Sequence, residues 1–219
     1  MAYVWLSHIL NNDTPAYGGG TGFSVTTDKD IDKGDSCNTV TLQLSNHIGS
    51  HVDAPKHFVS KGMCIDEYKA EEWVFNKPIF IDVSSSDADI IDANIIESYL
   101  DDSIKDADFV MIQTGAEKYR FEQRYWQASP AFSPDISEFL ISRFPSFKAI
   151  GIDTISISSY AHRELGREAH KQFLGSGIRI FEDLSFCEIS SFTNIKKVIA
   201  LPLRFSNADG APTTLIGEV

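Results

Sequence analysis

The sequence predicts an α/β fold: one domain with a mixed β-sheet core and flanking helices. Three observations lead to it. Short apolar runs rich in β-branched and aromatic residues recur through the second half of the chain and end at polar residues or glycine. Segments with helical spacing separate those runs. The 219 residues are 42% hydrophobic and 23% charged, and they carry no internal repeat, low-complexity tract or obvious linker, so the domain is expected to span residues 1–219.

Near the N-terminus, YVWLS reads as a short strand running into the Gly/Pro-rich loop NNDTPAYGGGTG. TVTLQLS, residues 39–45, alternates polar with apolar or β-branched residues, a strand pattern that delivers the chain to His47. PIFIDVS, residues 78–84, is a buried strand by its continuous apolar run. Residues 93–100 have helical spacing, with Asp92 placed to cap them. ADFVMIQTG, residues 107–115, is a second buried strand that stops at glycine. Residues 133–144 predict a helix: Ser133 can cap it, Pro134 suits the first helical position, and Ile136, Phe139, Leu140 and Phe144 form one apolar stripe. Residues 147–153 predict a strand ending at an acidic residue. REAHKQFLGSG, residues 167–177, predicts a helix stopped by glycine. Residues 178–184 and 196–205 predict two more strands. Sites on α/β folds collect where strands end in polar residues.

The formal net charge of −12 excludes a nucleic-acid surface, which needs clustered Lys and Arg, and argues against an anionic membrane. Cys37, Cys64 and Cys187 are odd in number and far apart, so no disulfide framework or thiolate zinc site is expected, and a reducing compartment is. MAYVWLSHIL lacks the basic start of a secretory signal, and no run reaches the ~20 apolar residues of a membrane helix; a cytoplasmic protein is expected. GGGTG lacks the Lys-Ser/Thr of a phosphate-binding loop, and no GxSxG marks a nucleophilic serine.

Residues 47–57, HIGSHVDAPKH, hold three of the chain's six histidines. Alternate residues of an extended chain share a side, which puts His51 with Asp53; residues four apart share a face of a helical turn, which would put His47 with His51. Pro55 disfavours helix at Ala54, so a loop or turn with converging side chains is expected, with Gly49 supplying a conformation that a Cβ would forbid. The fixed φ of Pro55 is expected to carry the chain extended to His57. Imidazoles and a carboxylate together suit Zn2+, Mn2+ or Fe2+, and two His with one Asp leave a coordination position open for water.

HIGSHVDAPKHF resembles the motif of the metal-dependent cyclase family, which includes bacterial kynurenine formamidases and isatin hydrolases: His-x-Gly-Thr-His-x-Asp-x-Pro-x-His-Phe. Every fixed position matches except Ser50, which stands where the family has Thr and keeps the hydroxyl. LSHILNNDTPAYGG, IGIDTISI and AHKQFLGSGIRIFEDL are similar to further family segments, so the resemblance spans almost the whole chain. It implies the swivelling β/β/α cyclase fold. It implies metal ligation by His47, His51 and Asp53, a general acid/base role for His57, and a second metal completed by His170 and Glu182, with Asp53 and Glu182 able to bridge. Read without the resemblance, Glu182 is a strand-end carboxylate of the kind often exposed, and His170 a surface helical histidine. His162 rivals His170 for the same role. Tyr17 falls where the family carries an aromatic near the substrate.

The expected activity is that of a hydrolase with a divalent metal, zinc expected and manganese the alternative, one or two ions per chain. Its partner is a small molecule, not nucleic acid or membrane. An aryl formamide such as N-formylkynurenine, of tryptophan catabolism, leads as substrate, followed by a cyclic amide or lactone. A lyase/cyclase or a non-catalytic metal-binding protein is the reading from a different class. The resemblance also implies a homodimer or homotetramer.

Overall fold

The computed structural model describes residues 2–20, 22–190 and 193–219; Thr21, within the GGGTG stretch, lies outside them. In chain order the first strands are β1 (Tyr3–Trp5), β2 (Phe23–Lys29), β3 (Thr39–Leu44), β4 (His51–Asp53), β5 (Val74–Phe75), β6 (Pro78–Asp82) and β7 (Ile90–Ile91). Helix α1 (Ala93–Tyr99), strand β8 (Phe109–Gln113), helix α2 (Gln123–Gln127), strand β9 (Ala131–Phe132) and helix α3 (Asp135–Arg143) follow. The chain ends with β10 (Ala149–Ile152), α4 (Arg163–Gly175), β11 (Arg179–Glu182), β12 (Lys197–Pro202) and β13 (Gly210–Glu218).

The main sheet runs β5-β12-β13-β4-β11-β10-β8-β6, with β1 added to β13. It is mixed, as the sequence predicts. Strands β6, β8, β10 and β11 are parallel, whereas β4 lies antiparallel between β11 and β13. The nine residues of β13 make this possible: Gly210 to Pro212 pair with β4, and Ile216 to Glu218 pair with β1. The parallel strands read as unbroken apolar runs because both faces are covered. Phe109 and Met111 of β8 enter one core with Phe75, Phe181 and Leu215, while Val110 and Ile112 enter the other with Ile136, Leu140, Ile150 and Phe173. Each fully buried side chain of this size stabilises by about 1.5–3 kcal/mol.

Several elements differ from the sequence expectation. The 47–57 segment is loop and turn only in part: residues 47–50 are irregular, residues 51–53 form an inner strand, and Pro55–His57 is a 3-10 turn rather than extended chain. Proline suits the first position of such a turn, and Ala54 before it is extended, at ψ 161°. Helix α3 starts at Asp135, with Pro134 in the cap position and no side-chain cap. Asp92 does cap α1, accepting from Ile95 N at 2.9 Å. Helix α4 starts four residues before the expected Arg167, at Arg163. The sequence reading has no counterpart for β2, which pairs with β3 as a separate hairpin, or for β13, whose Gly210 and Pro212 mask its strand character.

Candidate metal centre

Cross-strand register assembles the centre. His51 on β4 sits directly opposite Glu182 on β11, and Asp53 lies two residues along on the same side. Gly49, at φ +63°, turns the chain so that His47 reaches back towards Asp53. His170 comes from α4, which can approach because Gly166 packs on Ser158 with no room for a Cβ. The distances are short: His51 Nε2 is 3.4 Å from Asp53 Oδ1 and 3.3 Å from Glu182 Oε2, and His170 Nε2 is 3.6 Å from Asp53 Oδ2 and 3.4 Å from Glu182 Oε1. His47 Nδ1 lies 2.7 Å from Asp53 Oδ1. Glu182, at 3% exposure, and His170, at 4%, are buried, against the surface positions that their local sequence suggests.

The other nitrogens reveal what belongs between these groups. His51 Nδ1 donates to the Gly49 carbonyl and His170 Nδ1 to the Gly166 carbonyl, both at 2.8 Å. A carbonyl only accepts, so in each neutral ring Nε2 is a lone pair aimed at carboxylate oxygens. Lone pairs and carboxylates can share this space only around a cation. Without a metal that cation is a proton. His170 is pushed up to about 10: burial opposes this, but the hydrogen bonds to Asp53 and Glu182 outweigh it. His51 is raised well above its ordinary value by the same balance. Burial and the Asp53 charge push Glu182 up, yet His170 and His51 bring it down to about 2. The donor set, with both imidazoles oriented by backbone carbonyls, fits a divalent ion. Two groupings share Asp53, His51–Asp53–Glu182 and His47–Asp53–His57, each able to offer donor atoms within 4.8 Å of one another.

His57 stands beside His47 at the edge of the cluster. Its ring centroid is 4.0 Å from that of His47, and its Nδ1 is 3.0 Å from Asp209 Oδ2. Asp209 also takes His47 Nε2 at 3.2 Å and Asn46 Nδ2 at 2.7 Å. Sequence reasoning missed Asp209; it precedes β13, which itself went unread, and no motif spacing ties it to the histidines. His162 lies elsewhere, with Nε2 donating to the Ala88 carbonyl at 2.9 Å, so His170 is the histidine brought to the cluster. The donors line a cavity of about 260 Å³ whose wall includes Tyr17, Phe58, Arg163 and Arg167. Tyr17 is 39% exposed, with its ring 6.3 Å from Tyr160.

A bracing network lies directly behind Glu182. Asp183, at φ +52°, receives Arg120 through two bonds of 2.8 and 2.6 Å and Tyr125 OH at 2.5 Å, while its carbonyl accepts from Ser50 Oγ at 2.5 Å. Glu182 Oε1 itself accepts from Ile157 N at 2.7 Å and Ser156 Oγ at 3.0 Å.

Buried imidazoles and carboxylates converge on an open cavity, a site of the kind that holds a divalent ion beside a substrate, and the relatives of this chain make the class a metal-dependent hydrolase. The family described as Putative cyclase matches residues 4–159, and the chain belongs to this Cyclase family. A kynurenine formamidase of Bacillus cereus is 28% identical over 214 residues, covering 98% of this chain and 96% of that protein. The kynurenine formamidase of Bacillus anthracis is similar at the same identity and coverage. Isatin hydrolase A from Labrenzia aggregata, solved with benzyl benzoate, superposes with a TM-score of 0.83 at 25% identity, over 99% of this chain and 93% of that one. Isatin hydrolase A from Ralstonia solanacearum shares the fold, with a TM-score of 0.84 at 18% identity over 99% and 91%.

Proposed function

We propose that this chain is an arylformamidase, hydrolysing the C–N bond of an aryl formamide such as N-formylkynurenine. The observation that carries the reading is the buried His51, Asp53, His170 and Glu182 set at a cavity with aromatic walls. His47, His51 and Asp53 would hold one ion, and His170 and Glu182 would contribute to a second site beside it. Zinc suits this nitrogen and oxygen set, with manganese the alternative. When bound, such an ion supplies Lewis-acid chemistry, polarising a carbonyl and a water. His57 does the proton transfer. With Nδ1–H donating to Asp209, its Nε2 carries a free lone pair, able to take the water's proton and pass it to the leaving nitrogen. Tyr17 and Phe58 face the aryl ring.

Hydrolysis of a cyclic amide or lactone is the second reading, favoured by the likeness to the Labrenzia isatin hydrolase. A homodimer or homotetramer goes with the family; exposed Trp5, Leu42, Leu201 and Leu203 around a second cavity of about 1030 Å³ support it. No helix among the described residues is long and apolar enough to cross a membrane. Free thiols at Cys37, Cys64 and Cys187 support a reducing, cytoplasmic location. The test is turnover of N-formylkynurenine, isatin and an aryl lactone by zinc- and manganese-loaded protein, beside metal analysis. Isatin turnover far above formamide turnover would favour the second reading, and no turnover by fully loaded protein would refute both.

A further inference from the structure

We propose that Arg163, with Arg167 one turn further along α4, binds a carboxylate carried by the substrate, so that the enzyme selects aryl formamides that bear a carboxylate over those that lack one. This rests on the arylformamidase reading and adds the substrate's charge to it.

Both arginines line the cavity that holds His51, Asp53, His170 and Glu182. In a chain with 19 Lys and Arg against 31 Asp and Glu, two cations at one cavity wall call for a reason. Helix stability does not supply it, because a cation in the first turn is opposed by the helix dipole, and Arg163 is the first residue of α4. Ion pairing does not supply it either: among the described residues Arg163 forms no salt bridge. Arg167 bonds only Glu164 one turn back, at 2.5 Å, an exposed pair that a substrate anion can compete with. Arg163 is nevertheless held in place, its guanidinium over the Tyr160 ring at 5.3 Å, and Trp126 meets that ring edge-on at 5.4 Å. With no carboxylate of its own among the described residues, this guanidinium keeps N–H donors for a ligand, and its planar fork matches a carboxylate through two parallel hydrogen bonds. Tyr17 ties this corner to the aryl wall. Burial pushes its hydroxyl up, and the charges of Arg163 and Arg167 pull against that, so both lie within electrostatic reach of the ring. A substrate lying with its formamide at the buried donors and its ring along Tyr17 would present a side-chain carboxylate to Arg163.

The test measures kcat and KM for N-formylkynurenine, which carries a carboxylate, and for formanilide, which does not. Wild type is compared with R163A, R163K and the R163A/R167A pair, with melting temperatures alongside. The expected result is a KM for N-formylkynurenine raised about 10- to 100-fold in R163A, further in the pair and less in R163K, with kcat nearly unchanged. The KM for formanilide should change far less than that for N-formylkynurenine in every variant, and added salt should raise the wild-type KM for N-formylkynurenine more than that for formanilide. Equal losses on both substrates would make the arginines structural and overturn the inference. No loss on either would overturn it too, while the formamidase reading stands. A metal-loaded wild type that hydrolyses neither compound refutes the formamidase reading itself and the inference with it.

Discussion

At the residue scale, one hydrogen bond decides which nitrogen of His57 is available. Asp209 takes Nδ1 at 3.0 Å, which leaves Nε2 for the proton transfer proposed for this residue. H57A should therefore lower kcat by about 100- to 10,000-fold while metal content and melting temperature hold. D209N, which removes only the orienting charge, should cost about 10- to 100-fold. Metal analysis beside kinetics separates the roles: loss of an ion from H57A would make His57 a ligand. The buried cluster adds a pH dependence. His170, raised from 6.5 to about 10, contributes stability that is complete below pH 6.5 and lost as pH rises through about 10. Glu182, lowered from 4.5 to about 2, contributes stability that is complete above pH 4.5 and lost as pH falls through about 2. Chelator-treated protein should thus melt highest between pH 4.5 and 6.5 and weaken towards pH 10, as deprotonation leaves Asp53 and Glu182 facing each other uncompensated. Metal-loaded protein should lack the alkaline decline, and metal affinity should rise with pH as the ion displaces the His170 proton. Parallel melting curves for the two forms up to pH 10 would count against a cation site there.

At the element scale, the centre depends on how closely β4, β11 and α4 approach one another. The Arg120–Asp183–Tyr125 network holds the end of β11 with Asp183 in a left-handed conformation, so Glu182 faces the donors. R120M leaves Asp183 buried with Tyr125 but without its cationic partner and should destabilise by about 3–5 kcal/mol in denaturant unfolding. Its metal affinity should fall as well, because Glu182 shares that backbone. Gly166 sets the approach of α4. G166A drives a methyl into Ser158, so His170 must shift from Asp53 and Glu182; the expected outcome is a reduced metal-to-protein ratio with most of the helical signal retained. An unchanged ratio would show that α4 has slack enough to re-seat His170.

At the scale of the whole molecule, the β2–β3 hairpin is not explained by the main sheet. Among the described residues it pairs as a separate two-stranded sheet and exposes Val25, Val40 and Leu42, and an isolated two-stranded hairpin is marginal in water. Self-association through this region and the neighbouring Leu201 and Leu203 would cover it. Light scattering should then give two or four times the chain mass of 24.4 kDa, and L42E with L201E should reduce it to one. A wild type that runs as a single chain at high micromolar concentration would end that reading.

What the sequence determined alone is what depends on neighbours along the chain. The apolar runs within residues 107–115 and 147–153 form strands buried on both faces, because period-two side chains must fill two cores. Asp92 caps α1 because its carboxylate can reach an N–H three residues on. His51 and Asp53 share a side because alternate residues of a strand do. Tertiary structure decided the rest. Local sequence leaves Glu182 an ordinary strand end and His170 an ordinary helical histidine; strand register and the approach of α4 bring them to Asp53. Between His162 and His170, local sequence leaves the choice open and the resemblance favours His170; the packing of α4 turns that ring to the carboxylates. Asp209 reaches His57 across 152 residues, through a strand whose glycine and proline hide it from pattern reading. Periodicity and capping act over a few residues, whereas a metal centre is assembled from groups that meet only when the chain has closed its sheet.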